Sequence, residues 1–120
     1  MLTDTPLKTF EITVSLDAQG NLQFDPDPDV EARPGDHLVW KSTVGDLVVF
    51  IRGAEDKLQF ARKSPFQRYL YCDGRDNGQG EARVRPQVKA GAEPGTYKYT
   101  LILFDDEGVK HEEDPRIVIR

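Results

Sequence analysis

Phe10, Ile12, Val14 and Leu16 alternate with Glu11, Thr13 and Ser15, the two-residue period of a strand with one face in a core and one in water. Gln19-Gly20-Asn21 supplies turn chemistry for a reversal into Leu22-Gln23-Phe24, where alternation resumes. Asp25-Pro26-Asp27-Pro28-Asp29 cannot be a central strand, because each proline lacks the amide donor that a ladder needs and restricts the residue before it. It is an edge or an extended loop. Arg33-Pro34-Gly35-Asp36 is a turn, followed by strands at Leu38-Val39-Trp40 and Leu47-Val48-Val49-Phe50-Ile51. The second of these is apolar enough to be covered on both faces.

From Arg52 to Gly80 the pattern weakens to short candidates at Leu58-Gln59-Phe60 and Tyr69-Leu70-Tyr71, parted by Ser64-Pro65. Asp73 to Gly80 is a loop. Ala82, Val84 and Val88 suggest a strand interrupted by Pro86, hence an edge or bulged one. Glu93-Pro94-Gly95 turns the chain into Thr96 to Phe104, where Tyr97, Tyr99, Leu101 and Leu103 share the inward face and Lys98, Thr100, Ile102 and Phe104 the other. An inward tyrosine packs its ring and hydrogen-bonds through its hydroxyl. An acidic loop, Asp105 to Asp114, leads to a last strand, Ile117-Val118-Ile119. No segment has a helical period of useful length. Seven to nine short strands separated by Gly and Pro turns predict an all-β, two-sheet sandwich with Greek-key connections.

At 120 residues the chain is one domain, 1–120, long enough to bury a core without disulfides or a structural metal. Hydrophobic residues make up 38% and charged residues 31%, which predicts a thin core and a heavily charged exterior. Cys72 is the only cysteine and has no internal partner for a bridge. No apolar run approaches the roughly 18 residues of a membrane span. Met1-Leu2-Thr3-Asp4 lacks the basic and apolar regions of a signal peptide, so the chain as given reads as cytoplasmic.

The net charge of −5 conceals a pattern. Residues 1–51 carry 3 basic and 9 acidic side chains (net −6), 52–90 carry 9 and 5 (net +4), and 91–120 carry 4 and 7 (net −3). Such blocks either scatter over a folded surface or form complementary patches that favour self-association or an anionic ligand. An acidic chain without a long basic run argues against general nucleic-acid binding, which is dominated by phosphate contacts.

Two stretches resemble the cupredoxin fold. Phe24-Asp25-Pro26 with Val30 to Trp40 resembles that family's strand, Gly-Asp turn and tryptophan-bearing strand. Pro94-Gly95-Thr96-Tyr97-Lys98-Tyr99 resembles the entry to the strand that leads into the copper-ligand loop, and Arg116 to Ile119 the closing strand. The resemblance implies a cupredoxin-like sandwich and a copper site of two imidazoles and a thiolate, usually with a weak axial thioether. Here Leu101 stands where the cysteine would fall, Ser42 to Leu47 holds no histidine, Cys72 lies far from the pattern and Met1 is the only methionine. The expectation is therefore the fold without copper and without a cofactor. The pairs Asp25-Pro26, Asp27-Pro28, Glu93-Pro94 and Asp114-Pro115 also resemble the small, uncharacterised bacterial DP-EP family, which implies no activity.

Three kinds of chemistry remain to be placed. Phe60, Arg62, Lys63, Phe66, Arg68 and Tyr69 interleave aromatic and basic side chains, a pattern that stacks and ion-pairs with a sugar, nucleotide or protein ligand. Its alternative is aromatics in the core with cations on the opposite face. Asp25 and Asp27, together with Asp105, Asp106 and His111, offer oxygen and imidazole ligands to calcium or an adventitious divalent ion; the alternative is a solvated acidic loop and a proline-blunted edge. Asp73 to Gly80 fails as an EF-hand loop, because Arg75 takes the third ligand position and Val84 the twelfth. Nothing in the sequence activates Cys72 as a nucleophile, and no nucleophile elbow, phosphate-cradling loop or metal-protease helix is present. The expectation is a non-enzymatic binding or interaction module, self-associating through an edge strand or charge-complementary faces, with metal binding by the acidic loops as the alternative and an enzyme with an unrecognised site as a weaker one.

Overall fold

Alternating side chains give the longest strands one apolar face, and two sheets bury those faces against each other. The computed structural model describes residues 7–54, 64–75 and 80–120. Within them the strands are β1 (Thr9–Leu16), β2 (Leu22–Asp25), β3 (Val30–Ala32), β4 (His37–Ser42) and β5 (Gly45–Ala54), then β6 (Leu70–Asp73), β7 (Ala82–Val84), β8 (Gly95–Asp105), β9 (Lys110–Glu113) and β10 (Arg116–Ile119). One sheet has the order β2-β1-β4-β7. The other runs β3-β10-β8-β5-β6, with β9 paired to β8 further along the edge that β10 occupies. The β1/β4 and β3/β10 pairs are parallel and the remaining ladders antiparallel. The protein is all-β, and no helix among the described residues is long and apolar enough to cross a membrane.

Ile12, Val14, Leu38, Trp40, Ala82 and Val84 on the first sheet face Leu47, Val49, Ile51, Tyr97, Tyr99, Leu101, Leu103, Ile117 and Ile119 on the second, and all are buried. The inward period expected of Tyr97 to Leu103 is therefore the observed one. Trp40 Nε1 donates to Tyr99 Oη (3.1 Å), and Tyr99 Oη donates to the carbonyl of Pro28 (2.6 Å). One phenol thus ties the two sheets to the Asp-Pro loop. Tyr97 Oη donates to the Glu93 carbonyl at 2.8 Å.

Turns are set locally. Asp17 closes the β1/β2 hairpin by accepting the amides of Gln19 and Asn21, and Gly20 takes the positive φ (83°) that the reversal requires. Before β4, the buried Asp36 carboxylate accepts the amides of Lys8 and Arg33 at 3.0 and 2.9 Å, which fixes the turn that launches the tryptophan strand. Asp25 to Asp29 is the extended loop alternative: Asp27 accepts the Asp29 amide and Asp29 the Arg116 amide.

Two expectations need correction. Ten strands are present among the described residues, against seven to nine: β9 lies inside the stretch read as an acidic loop, β3 follows the Asp-Pro loop where the alternation marks no strand, and the candidate Leu58-Gln59-Phe60 lies outside the described residues. Lys110, Glu112 and Glu113 are exposed, so β9 has no apolar face to reveal it and is held by its ladder to β8. Nor is the β5 run covered on both faces. Leu47, Val49 and Ile51 are buried, whereas Phe50 is 45% exposed beside its cross-strand partner Leu70, 53% exposed. A β-branched and aromatic outward row supports the pleat through lateral contacts with neighbouring strands, without a third layer.

Candidate anion-binding cleft

A sandwich of two open sheets has two lateral seams, and here each lies between a pair of edge strands. At one seam β6 faces β7; at the other β2 approaches β9.

The β6/β7 seam is reached from the core by a run of rings. Trp40 lies 5.1 Å from Tyr99 and meets Phe66 edge-on at 6.4 Å; Phe66 in turn meets Tyr71 edge-on at 6.4 Å. The Arg68 guanidinium sits 5.1 Å above the Tyr71 ring, a cation on a π face. A local turn fixes this cation. Buried Ser64 Oγ accepts the Phe66 amide and donates to the Arg68 carbonyl (2.9 Å), while the Arg68 amide donates to Tyr71 Oη at 3.1 Å. Arg68 therefore stands on a braced platform although its side chain is at the surface.

Across the seam β7 alternates Ala82 and Val84 inward with Arg83 and Arg85 outward. The Arg83 amide donates to Asp73 Oδ2 (2.8 Å), joining the two edges at one end of the seam. Above that closure a cleft of about 490 Å³ opens, lined by Arg68, Leu70, Tyr71, Cys72, Arg83, Val84 and Arg85. Arg83 reaches Glu11 at 3.6 Å, a carboxylate that Lys41 already engages at 2.9 Å. Arg85 makes no ion pair among the described residues.

The backbone contributes as well. Tyr69 O accepts the Ile51 amide, and antiparallel alternation from that bond turns the peptide groups of Leu70 and Cys72 away from β5 and toward the open edge. Three guanidinium groups, an aromatic platform and strand-edge donors that pair with no other strand among the described residues thus converge on one opening. That combination holds an anion by charge and an extended chain by its backbone.

Of the sequence-selected ligand residues, Arg68 lines the cleft and Tyr69 lies beside it, 48% exposed. Phe66 is in the core at 1% exposure and turns no surface to a ligand; its part is to prop Tyr71. Phe60, Arg62 and Lys63 lie outside the described residues. Arg83 and Arg85 were not singled out in the sequence, yet their signal was there: two cations at a two-residue period, interleaved with Ala82 and Val84.

The acidic candidates fall elsewhere. Asp105 Oδ2 lies 2.9 Å from His111 Nε2, and its other oxygen accepts the Glu107 and Val109 amides. The His111 hydrogen bond, followed by that of the Val109 amide, holds the Asp105 carboxyl below the usual carboxylate range. Asp106 pairs with Arg75. Asp27 is committed to a backbone amide, and Asp25 ends β2, exposed. Among the described residues no group of three or more His, Cys, Asp or Glu side chains is arranged to hold a metal ion. Leu101, at the position of the resemblance's cysteine, is wholly buried in the core.

Tyr99 carries a pH signature. Burial, the dominant cause, and the nearby Asp29 and Asp27 charges push its phenol well above the ordinary value of about 10, against a lowering by the Trp40 hydrogen bond. Its folded-state pKa is raised, so the stability it contributes is complete below about pH 10 and declines as pH rises above that, where the unfolded chain releases a proton that the folded one retains. Thermal melts across that range should show an alkaline loss that Tyr99→Phe reduces; an identical alkaline loss in Tyr99→Phe contradicts the assignment.

No family model matches the chain, and no curated protein is significantly similar to it in sequence.

Proposed function

We propose that this chain is a non-enzymatic interaction module, a copper-free cupredoxin-like sandwich that takes an anionic partner in the β6/β7 cleft. The observation that carries the reading is the convergence of Arg68, Arg83 and Arg85 on an opening whose β6 edge pairs with no further strand among the described residues. Support for the cupredoxin-like part comes from where the resembling residues fall: the Gly35-Asp36 turn leads into β4 with Trp40, Pro94-Gly95 opens β8, and the closing strand β10 pairs beside it. The cleft offers charge and shape, three guanidinium groups on one opening, which supports binding of an anionic partner.

The test uses a fluorescently labelled peptide of alternating Glu and Val as the probe. Its anisotropy should rise on addition of the protein at low salt and fall back as salt screens the contact. Replacing Arg68, Arg83 and Arg85 together by Gln should weaken binding by about tenfold or more, with the melting temperature nearly unchanged because all three are exposed. Equal binding by the triple variant overturns the reading.

A further inference from the structure

The opposite seam supplies a candidate for what enters the cleft. Between β2 and β9 a second opening of about 380 Å³ is lined by Asn21, Leu22, His111, Glu112 and Glu113. On the outer side of β9 nothing pairs among the described residues. Asp105 N donates to Val109 O, and alternation from that bond directs the peptide groups of Lys110 and Glu112 toward the open edge. The carboxylates here are free to act outward: Glu113 makes no ion pair among the described residues, and Glu112 has only Lys110, at 3.4 Å on the same strand. Three arginines of the 52–90 stretch thus stand at one seam of the sandwich and two carboxylates of the 91–120 stretch at the other.

Resting on the reading of the β6/β7 cleft as an anion site, we infer that its occupant is the β9 edge of a second copy of this chain. Three features argue for that partner. Both strands are four residues long, Leu70–Asp73 and Lys110–Glu113, and among the described residues each is open on one side. Glu112 and Glu113 meet Arg68, Arg83 and Arg85 with opposite charge. Leu70, 53% exposed on β6, and Val109, 50% exposed beside β9, leave apolar surface at both edges, the kind of surface that a monomer with open edges ordinarily protects. Donor and acceptor edges lie on opposite sides of one molecule, so the contact is head to tail and propagates from copy to copy instead of closing as a symmetric pair.

Sedimentation velocity on the full chain tests this. At low salt the weight-average mass should climb with concentration past that of a dimer, and in high salt it should return to the monomer. R83E/R85E leaves a copy with two acidic seams and E112K/E113K one with two basic seams; each alone should remain monomeric, and an equimolar mixture should associate again, with average mass at least about doubled. A wild type that stays monomeric at low salt, variants that associate like wild type, or a mixture that stays monomeric overturns the inference. The labelled peptide separates this from the broader reading: a monomeric wild type that still binds it through the three arginines removes only the second copy as occupant, whereas peptide binding indifferent to the arginines removes the cleft itself.

Discussion

Trp40→Ala should cost about 3–5 kcal/mol of stability, the range for truncating a large buried aromatic, and lower the melting midpoint by about 10–20 °C. Trp40 is wholly buried, packs against the tilted Tyr99 ring at 5.1 Å, meets Phe66 edge-on and donates its indole N–H across the sandwich. Its removal leaves a cavity between the sheets and strips the Tyr99 hydroxyl of a donor. Because Phe66 props Tyr71 and Tyr71 carries Arg68, the damage should extend to the cleft: any fraction that stays folded should bind the acidic peptide less tightly. Tyr99→Phe provides the graded comparison, at about 1–3 kcal/mol for leaving the indole N–H and the Pro28 carbonyl without their partner. Urea melts check both, and a loss below about 1 kcal/mol in Trp40→Ala contradicts the role given to this ring as the pin between the sheets.

Gly45→Ala should be a costly single-methyl addition. A Cβ at Gly45 would collide with the carbonyl oxygen of Phe104 and lie 2.7 Å from Leu103 Cδ1. Backbone cannot rotate aside as a side-chain tip does, so the β5/β8 ladder must part where Gly45 pairs with Asp105. Overpacking of this kind costs about 1–3 kcal/mol. The strain falls where β8 turns into β9, so the variant should also show faster amide exchange through Lys110–Glu113. Gly20→Ala is the control. Its Cβ meets nothing within 4 Å, and only the positive φ of 83° resists the change, so exchange in β9 should be unaffected. Gly45→Ala with wild-type stability and wild-type β9 exchange contradicts the close approach.

What the sequence made legible was whatever a buried face writes into it. β1 and the inward row of β8 alternate because one side meets the other sheet, and both were readable from that period; β4 was readable instead as an apolar run, Leu38-Val39-Trp40, all three of which are buried. The hydrogen-bonding hydroxyls of Tyr97 and Tyr99 followed from the same rule. β9 was not legible, because Lys110-His111-Glu112-Glu113 buries little apolar surface and is held by main-chain bonds that every residue can make. The cleft was half legible. Arg68 stood out through its aromatic neighbours, but Arg83 and Arg85 join it through a juxtaposition of β6 and β7 that no local pattern encodes. The outward face of β5 misled for a related reason: a continuous apolar run signals strand propensity and burial together, and Phe50 supplies the first without the second.

The charge blocks were legible as arithmetic and acquire a direction only in the fold, which places Arg68, Arg83 and Arg85 of the cationic stretch at one seam and β9 at the other. The measurement that bears most directly on capture of an acidic chain in the β6/β7 cleft is a titration of the isotope-labelled protein with the Glu-Val peptide, followed by amide chemical shifts. Shifts concentrated at Leu70, Cys72, Arg83 and Arg85, and lost in the variant with Arg68, Arg83 and Arg85 replaced by Gln, are the expected result; shifts spread over the surface or centred on another part of the fold, unchanged in that variant, contradict it.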